Sequence, residues 1–175
     1  MKKTLLFTIL LISTSLHAKL LISPYDAMYA SYGKSITITK KNILLNKTKA
    51  KNVSQSAKAK LTSKIFRVFT AKIDDEVVGY GILISKVMRT KSAVVLYLVS
   101  KDSLLKSIEI ISFNEPPEYI PSNTWSKQFE NLPVDTRLVL TQNIPKITGA
   151  TLSARAIVDG SRIALAFYEE ILKGK

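Results

Sequence analysis

The run Ala93-Val94-Val95-Leu96-Tyr97-Leu98-Val99 limits what this chain can fold into more than any other stretch. It is apolar at odd and even positions alike, and rich in β-branched residues. A strand of that kind has to be covered on both faces, so it belongs at the centre of a sheet. Its neighbours in sequence, residues 64–73, 77–88 and 106–113, have strand length and partial two-residue alternation. Between them stand Asp74-Asp75-Glu76, Arg89-Thr90-Lys91 and Lys101-Asp102-Ser103, each short and polar. Strands at roughly ten-residue spacing joined by such turns form an antiparallel meander. Gly79 and Gly81 lie inside the second of these strands, where a backbone or ligand is expected to approach closely.

Helices are expected on either side of the meander. Residues 23–30 open on Ser23-Pro24 and are broken at Gly33. A short strand follows over 35–40, where Ile36 and Ile38 alternate with polar residues. Residues 42–60 are lysine-rich, with helical propensity over 52–61 but a weak apolar stripe. After the meander, Pro116, Pro117 and Pro121 bar residues 114–121 from a helix interior or a central strand. This segment is a rigid loop. Ser122 or Asn123 can cap a short helix holding Trp125 and Phe129, ended by Pro133. At the C-terminus Leu152, Ala156, Gly160, Ile163, Phe167 and Ile171 recur every three or four residues, the stripe of a long amphipathic helix. Arg155, Asp159, Arg162, Glu169 and Lys173 fall largely on its other side, and Gly174 is the expected stop. The fold class is α+β: one domain over 19–175, an antiparallel meander flanked by helices, with the long helix last.

Residues 1–18 read as a secretory signal. Lys2 and Lys3 precede an apolar run over 5–12, and Ala18 is the expected cleavage site. An uncleaved anchor is the alternative. The chain has no Cys, and its one His, His17, falls inside that leader. The mature domain therefore has no material for disulfides, Cys/His zinc sites, thiolate-ligated clusters or His-activated nucleophiles. Any redox work must be carried by an organic cofactor. The formal charge is +13, and residues 27–73 contain no Asp or Glu. Such a region attracts nucleic acid, anionic lipid or acidic protein, or simply keeps the surface soluble. Export removes nucleic acid as a partner.

The long helix is preceded by Thr148-Gly149-Ala150-Thr151-Leu152-Ser153. A helix N-terminus presents unpaired amides and partial positive charge, a ready site for a phosphate. Taken alone, these residues are also explained by Thr148 or Thr151 acting as an N-cap.

This hexapeptide, placed before a helix, resembles the flavinylation motif of FMN-binding domains, such as the G subunit of the Rnf electron-transport complex and the C subunit of the sodium-pumping NADH:quinone reductase. Glu115-Pro116-Pro117-Glu118 is similar to that family's upstream loop segment, and Val78-Gly79-Tyr80 to its short strand motif. The resemblance runs over roughly 66–172. It departs from the family at Pro145, where an Asp is usual, and in the turn 89–91, where glycines are common. It implies FMN joined through its phosphate to Thr151 by a separate flavin transferase outside the cytoplasm. It also implies that Thr148, Gly149, Ala150, Leu152, Ser153, Glu115 and Trp125 bind the cofactor, with the small Gly149 and Ala150 letting the backbone close on the phosphate, and that electrons pass to a redox protein or a membrane electron-transport complex; Glu115 could instead cap or brace its loop. The ring needs an apolar bed, for which Leu152, Trp125, Tyr119 and Phe113 are the candidates nearest in sequence; core packing explains each of them as well. The function expected is that of an exported, periplasmic electron-transfer flavoprotein. The alternatives are a binding module without flavin that uses the basic region, and a small flavin reductase.

Overall fold

The computed structural model describes residues 19–174. The expected signal segment, His17 included, lies outside the described residues. Over the rest, an antiparallel sheet of seven strands runs in the order β1-β6-β5-β4-β3-β2, with β7 paired to β6. The strands are β1 (Lys19–Leu20), β2 (Thr37–Leu44), β3 (Ile65–Ile73), β4 (Glu76–Val87), β5 (Ser92–Ser100), β6 (Leu104–Phe113) and β7 (Leu132–Pro133). The helices are α1 (Pro24–Tyr32), α2 (Lys47–Ala57), α3 (Asn123–Ser126) and α4 (Thr151–Phe167), the last prolonged by a π-helical turn over Tyr168–Leu172. The expected α+β architecture and its long C-terminal helix are both present. Among the described residues no helix is long and apolar enough to cross a membrane.

β5 is the strand the apolar run predicts, paired with β4 on one side and β6 on the other. Its residues alternate between two cores. Val95, Tyr97 and Val99 face the cluster made with α2 and α4, whereas Leu96 and Leu98 face α1. The same alternation explains the strand glycines. A Cβ at Gly79 would stand 2.4 Å from the Tyr32 ring, and one at Gly81 2.7 Å from Met28 Sδ. The close approach foreseen at these positions is thus made by α1. Tyr32 then donates its hydroxyl to the carbonyls of Tyr80 (3.1 Å) and Val99 (2.9 Å).

α4 crosses the opposite face just as tightly. The hydroxyl of fully buried Tyr97 donates to the Ile157 carbonyl at 3.2 Å. A Cβ at Gly160 would lie 2.0 Å from that hydroxyl oxygen. Small residues on α4 let its backbone sit close to the sheet, and most of the helix is buried, not one stripe of it. Asp159 and Arg162, expected toward solvent, are instead only partly exposed and pair with each other and with Lys86 of β4, 3.8 Å from Asp159. Burial pushes the Lys86 ammonium below its usual value, and the Asp159 charge opposes that shift. At the other extreme Leu152, placed on the apolar stripe by its spacing, is 48% exposed at the cleft described below, while Ser153 and Ala154 beside it are buried.

Three boundaries differ from the sequence expectation. β2 continues to Leu44 because every residue from Thr37 finds a partner on β3. Its exposed Lys40 and Lys41 suit an edge strand, where charge discourages further pairing. α2 starts earlier, at Lys47, where the Asn46 side chain accepts from the Lys49 amide at 2.8 Å. It buries Ala50, Val53 and Ala57, a stripe too small in side-chain volume to stand out, and ends at Lys58 in the left-handed region. Leu132 and Pro133 pair with Leu105 and Leu104 of β6 after the short helix has ended.

Candidate functional site

The site lies at one end of the sheet, where the β4–β5 turn, the loop after β6 and the start of α4 meet. Glu115 organises the first two. Its carboxylate accepts from the backbone amides of Arg89 (3.1 Å), Thr90 and Lys91 (2.6 Å), and from the Thr90 hydroxyl at 3.2 Å. The Lys91 amide, followed by that of Thr90, holds the Glu115 carboxyl below the usual carboxylate range. A carboxylate that gathers consecutive amides acts as an anionic clasp for the turn. Glu115 is thus the brace of a loop whose own sequence has no glycine.

Arg89, held by this clasp, reaches toward the proline-rich loop. Its guanidinium donates to the Tyr119 hydroxyl at 2.9 Å and lies 5.4 Å from the Tyr119 ring centroid. The loop is stiffened by a short 3-10 turn over Pro117–Tyr119. Next to this pair α4 begins. Gly149 adopts φ +81°, and the space its Cβ would occupy is open. Ala150 is the N-cap, and no side chain caps the helix. Neither Thr148 nor Thr151 takes the capping role: Thr148 is exposed, and Thr151 is the first helical residue. The Thr151 hydroxyl donates to the Ile147 carbonyl at 3.2 Å.

Arg89, Tyr119, Gly149, Ala150, Thr151, Leu152 and Ser153 line one cleft of about 370 Å³. A cleft of this size falls in the range of small-molecule sites. Its parts suit a phosphorylated, planar ligand. The uncapped amides and Arg89 provide positive potential, Thr151 a hydroxyl, and Tyr119 with exposed Leu152 an apolar wall. A larger cavity of about 520 Å³, lined by Thr62, Ser63 and Arg67 among others, lacks a helix N-terminus.

Five residues singled out in the sequence therefore line the cleft: Gly149, Ala150, Thr151, Leu152 and Ser153. Tyr119 joins them. Four others do not. Thr148, exposed and just before Gly149, is not among the lining residues. Glu115 acts from behind the β4–β5 turn. Trp125 is buried against Phe129, with ring centroids 5.1 Å apart, and its indole N–H donates to the Pro145 carbonyl at 2.8 Å. Phe113 is a buried core residue. Pro145, the departure from the family's usual Asp, thereby offers its main-chain carbonyl to the core. Arg89 was missed from sequence, where it stands in a turn remote from the motif. The signal available was indirect: a Glu that begins a proline-rich loop needs donors, and the turn before β5 supplies them.

No family model matches the chain. It is 27% identical over 121 residues to the G subunit of the Na(+)-translocating ferredoxin:NAD(+) oxidoreductase complex of Acetobacterium woodii, an alignment covering 63% of this chain. The chain spans 58% of that relative's length. The chain is thus similar, over part of its length, to the G subunit of that complex, a similarity that the sequence Thr148-Gly149-Ala150-Thr151-Leu152-Ser153 leads one to expect.

Proposed function

We propose that this protein is an exported electron-transfer flavoprotein carrying FMN, attached through its phosphate to the Thr151 oxygen. One observation carries the reading: the Thr151 hydroxyl sits in the first turn of an uncapped helix, inside a cleft that Arg89 also lines. The uncapped amides and the guanidinium would hold the phosphate oxygens, and the small Gly149 and Ala150 would let the backbone close on them. Tyr119 and Leu152 would flank the ring. Bound FMN supplies one- and two-electron redox chemistry, which this His- and Cys-free domain has no side chains to provide.

The Thr151 hydroxyl donates to a main-chain carbonyl, and the residues lining the cleft include no His, Asp or Glu to activate it. An external flavin transferase is therefore part of the proposal. Residues 1–18 would direct export and be removed, leaving a periplasmic domain from Lys19. The similarity to a subunit of an oxidoreductase complex supports a membrane electron-transport assembly, or a redox protein serving one, as partner.

The test is co-expression with a competent flavin transferase, followed by intact mass and peptide mapping. The wild-type chain gains one FMN on the peptide containing Thr151. Thr151→Ser retains it, Thr151→Val stays folded but loses it, and Thr148→Val lowers the yield without moving the site. Flavin on Thr148 or Ser153, or flavin retained by Thr151→Val, refutes the assignment.

A further inference from the structure

The end of the sheet that bears the cleft also carries an apolar edge next to a basic groove. β2 ends there at Leu44, β3 begins at Ile65, and β4 ends at Val87. These aliphatic side chains are 72%, 58% and 60% exposed. Leu44 and Ile65 are direct cross-strand partners. By strand alternation they share the α1 face of the sheet with Val87, beyond the part that α1 covers. At the same end, on the α2 side of the sheet, the residues are cationic. Lys47, Lys51, Lys60 and Lys64 line a groove of about 440 Å³ between α2 and the loop before β3, with no carboxylate among its lining residues. The bond from the Leu45 amide to the Lys64 carbonyl, 2.8 Å, ties the groove directly to the apolar pair.

We propose that this end of the domain docks on the surface of an anionic bilayer. Exposed Leu44, Ile65 and Val87 enter the headgroup–acyl boundary while the groove lysines hold lipid phosphates. Charge complementarity selects the occupant, because residues 27–73 carry no Asp or Glu to oppose a negative surface. The protruding aliphatics distinguish a bilayer from an acidic protein. Buried apolar area and attraction to anionic headgroups act together in interfacial binding, whereas a charged protein surface offers Leu44 and its neighbours nothing to enter. Arg89 follows Val87 by two residues, which places the cleft beside the docking edge. A flavin held there would face carriers in the membrane. That consequence rests on the flavin reading, but docking does not need flavin, so the two ideas fail separately.

The experiment is vesicle sedimentation with the exported chain, residues 19–175, using phosphatidylcholine alone and phosphatidylcholine mixed with phosphatidylglycerol. Binding is expected to the anionic vesicles only, weakening as salt rises. Replacing Lys47, Lys51 and Lys64 with Ser should weaken it roughly a hundredfold, at about fivefold per lysine. Replacing Leu44, Ile65 and Val87 with Ser should weaken it by at least about tenfold. The same charge removed at the other end of the sheet, through Lys34, Lys72 and Lys101 to Ser, should leave at least half the affinity. Circular dichroism and thermal melting confirm that each variant is folded. Equal binding to neutral vesicles would leave the groove lysines without a role and overturn the proposal. So would equal losses from the two lysine triplets. Capture by poly-glutamate that is unaffected by the aliphatic substitutions, without vesicle binding, would assign the surface to an acidic protein.

Discussion

Gly160→Ala tests how closely α4 must approach the sheet. In an open helix this change gains about 1 kcal/mol of helix propensity. Here the new methyl would meet the Tyr97 hydroxyl oxygen at 2.0 Å and Cζ at 2.8 Å, both below any normal contact. Tyr97 is 1% exposed on the central strand, so its ring has little room to yield. Overpacking of this kind costs about 1–3 kcal/mol. Displacing the phenol also sacrifices its bond to the Ile157 carbonyl, worth about 1 kcal/mol. Setting these against the propensity gain leaves a net loss of about 1–3 kcal/mol, or a fall in melting temperature of roughly 2–10 °C for a domain of this size. Tyr97→Phe removes the nearest clashing atom, so Gly160→Ala in that background should cost less than in wild type. The assay is a double-mutant cycle by thermal and urea denaturation, with an expected coupling of about 1 kcal/mol. A Gly160→Ala protein as stable as wild type, or a coupling near zero, would refute the close approach of helix and sheet.

The Glu115 clasp predicts an acid transition. Its folded pKa is depressed, so its stabilisation is present above the ordinary carboxyl value of 4.5 and is lost as pH falls through the lower folded value. Glu115→Gln should lower the melting temperature at neutral pH and flatten its dependence as pH falls below 4.5; identical profiles would argue against the clasp. Arg89→Ala should reduce the initial rate of flavin attachment by up to about fivefold, the modest value expected of an exposed cation, and the deficit should shrink as salt rises. Attachment at an unchanged rate would remove Arg89 from the phosphate site. N-terminal sequencing of protein recovered from the periplasm should begin at Lys19; a full-length species integrated in the membrane would make residues 1–18 an anchor.

The meander was legible because its signals are local. Apolar Ala93 to Val99 and the polar triplets at 74–76, 89–91 and 101–103 specify strand and turn from residues adjacent in the chain. The start of α4 was legible for the same reason, since Gly149 and the apolar spacing after Thr151 mark a helix N-terminus without outside help. Partners far apart in sequence were not legible. Gly79 and Gly81 announced a close approach, but only the packing of α1 shows that Tyr32 and Met28 make it. Asp159 and Arg162 fitted the polar side of an amphipathic helix, yet both are only partly exposed, and Lys86 of β4 lies beside Asp159. Trp125 stood near the motif in sequence and is turned into the core, where the Pro145 carbonyl satisfies its N–H. Arg89 stood in an ordinary polar turn until Glu115 drew it beside Tyr119. Spacing along a chain reports which side of its own element a residue occupies. Which other element covers that side depends on how helices and sheet minimise buried, unpaired polar groups together, and that was decided only by the tertiary structure.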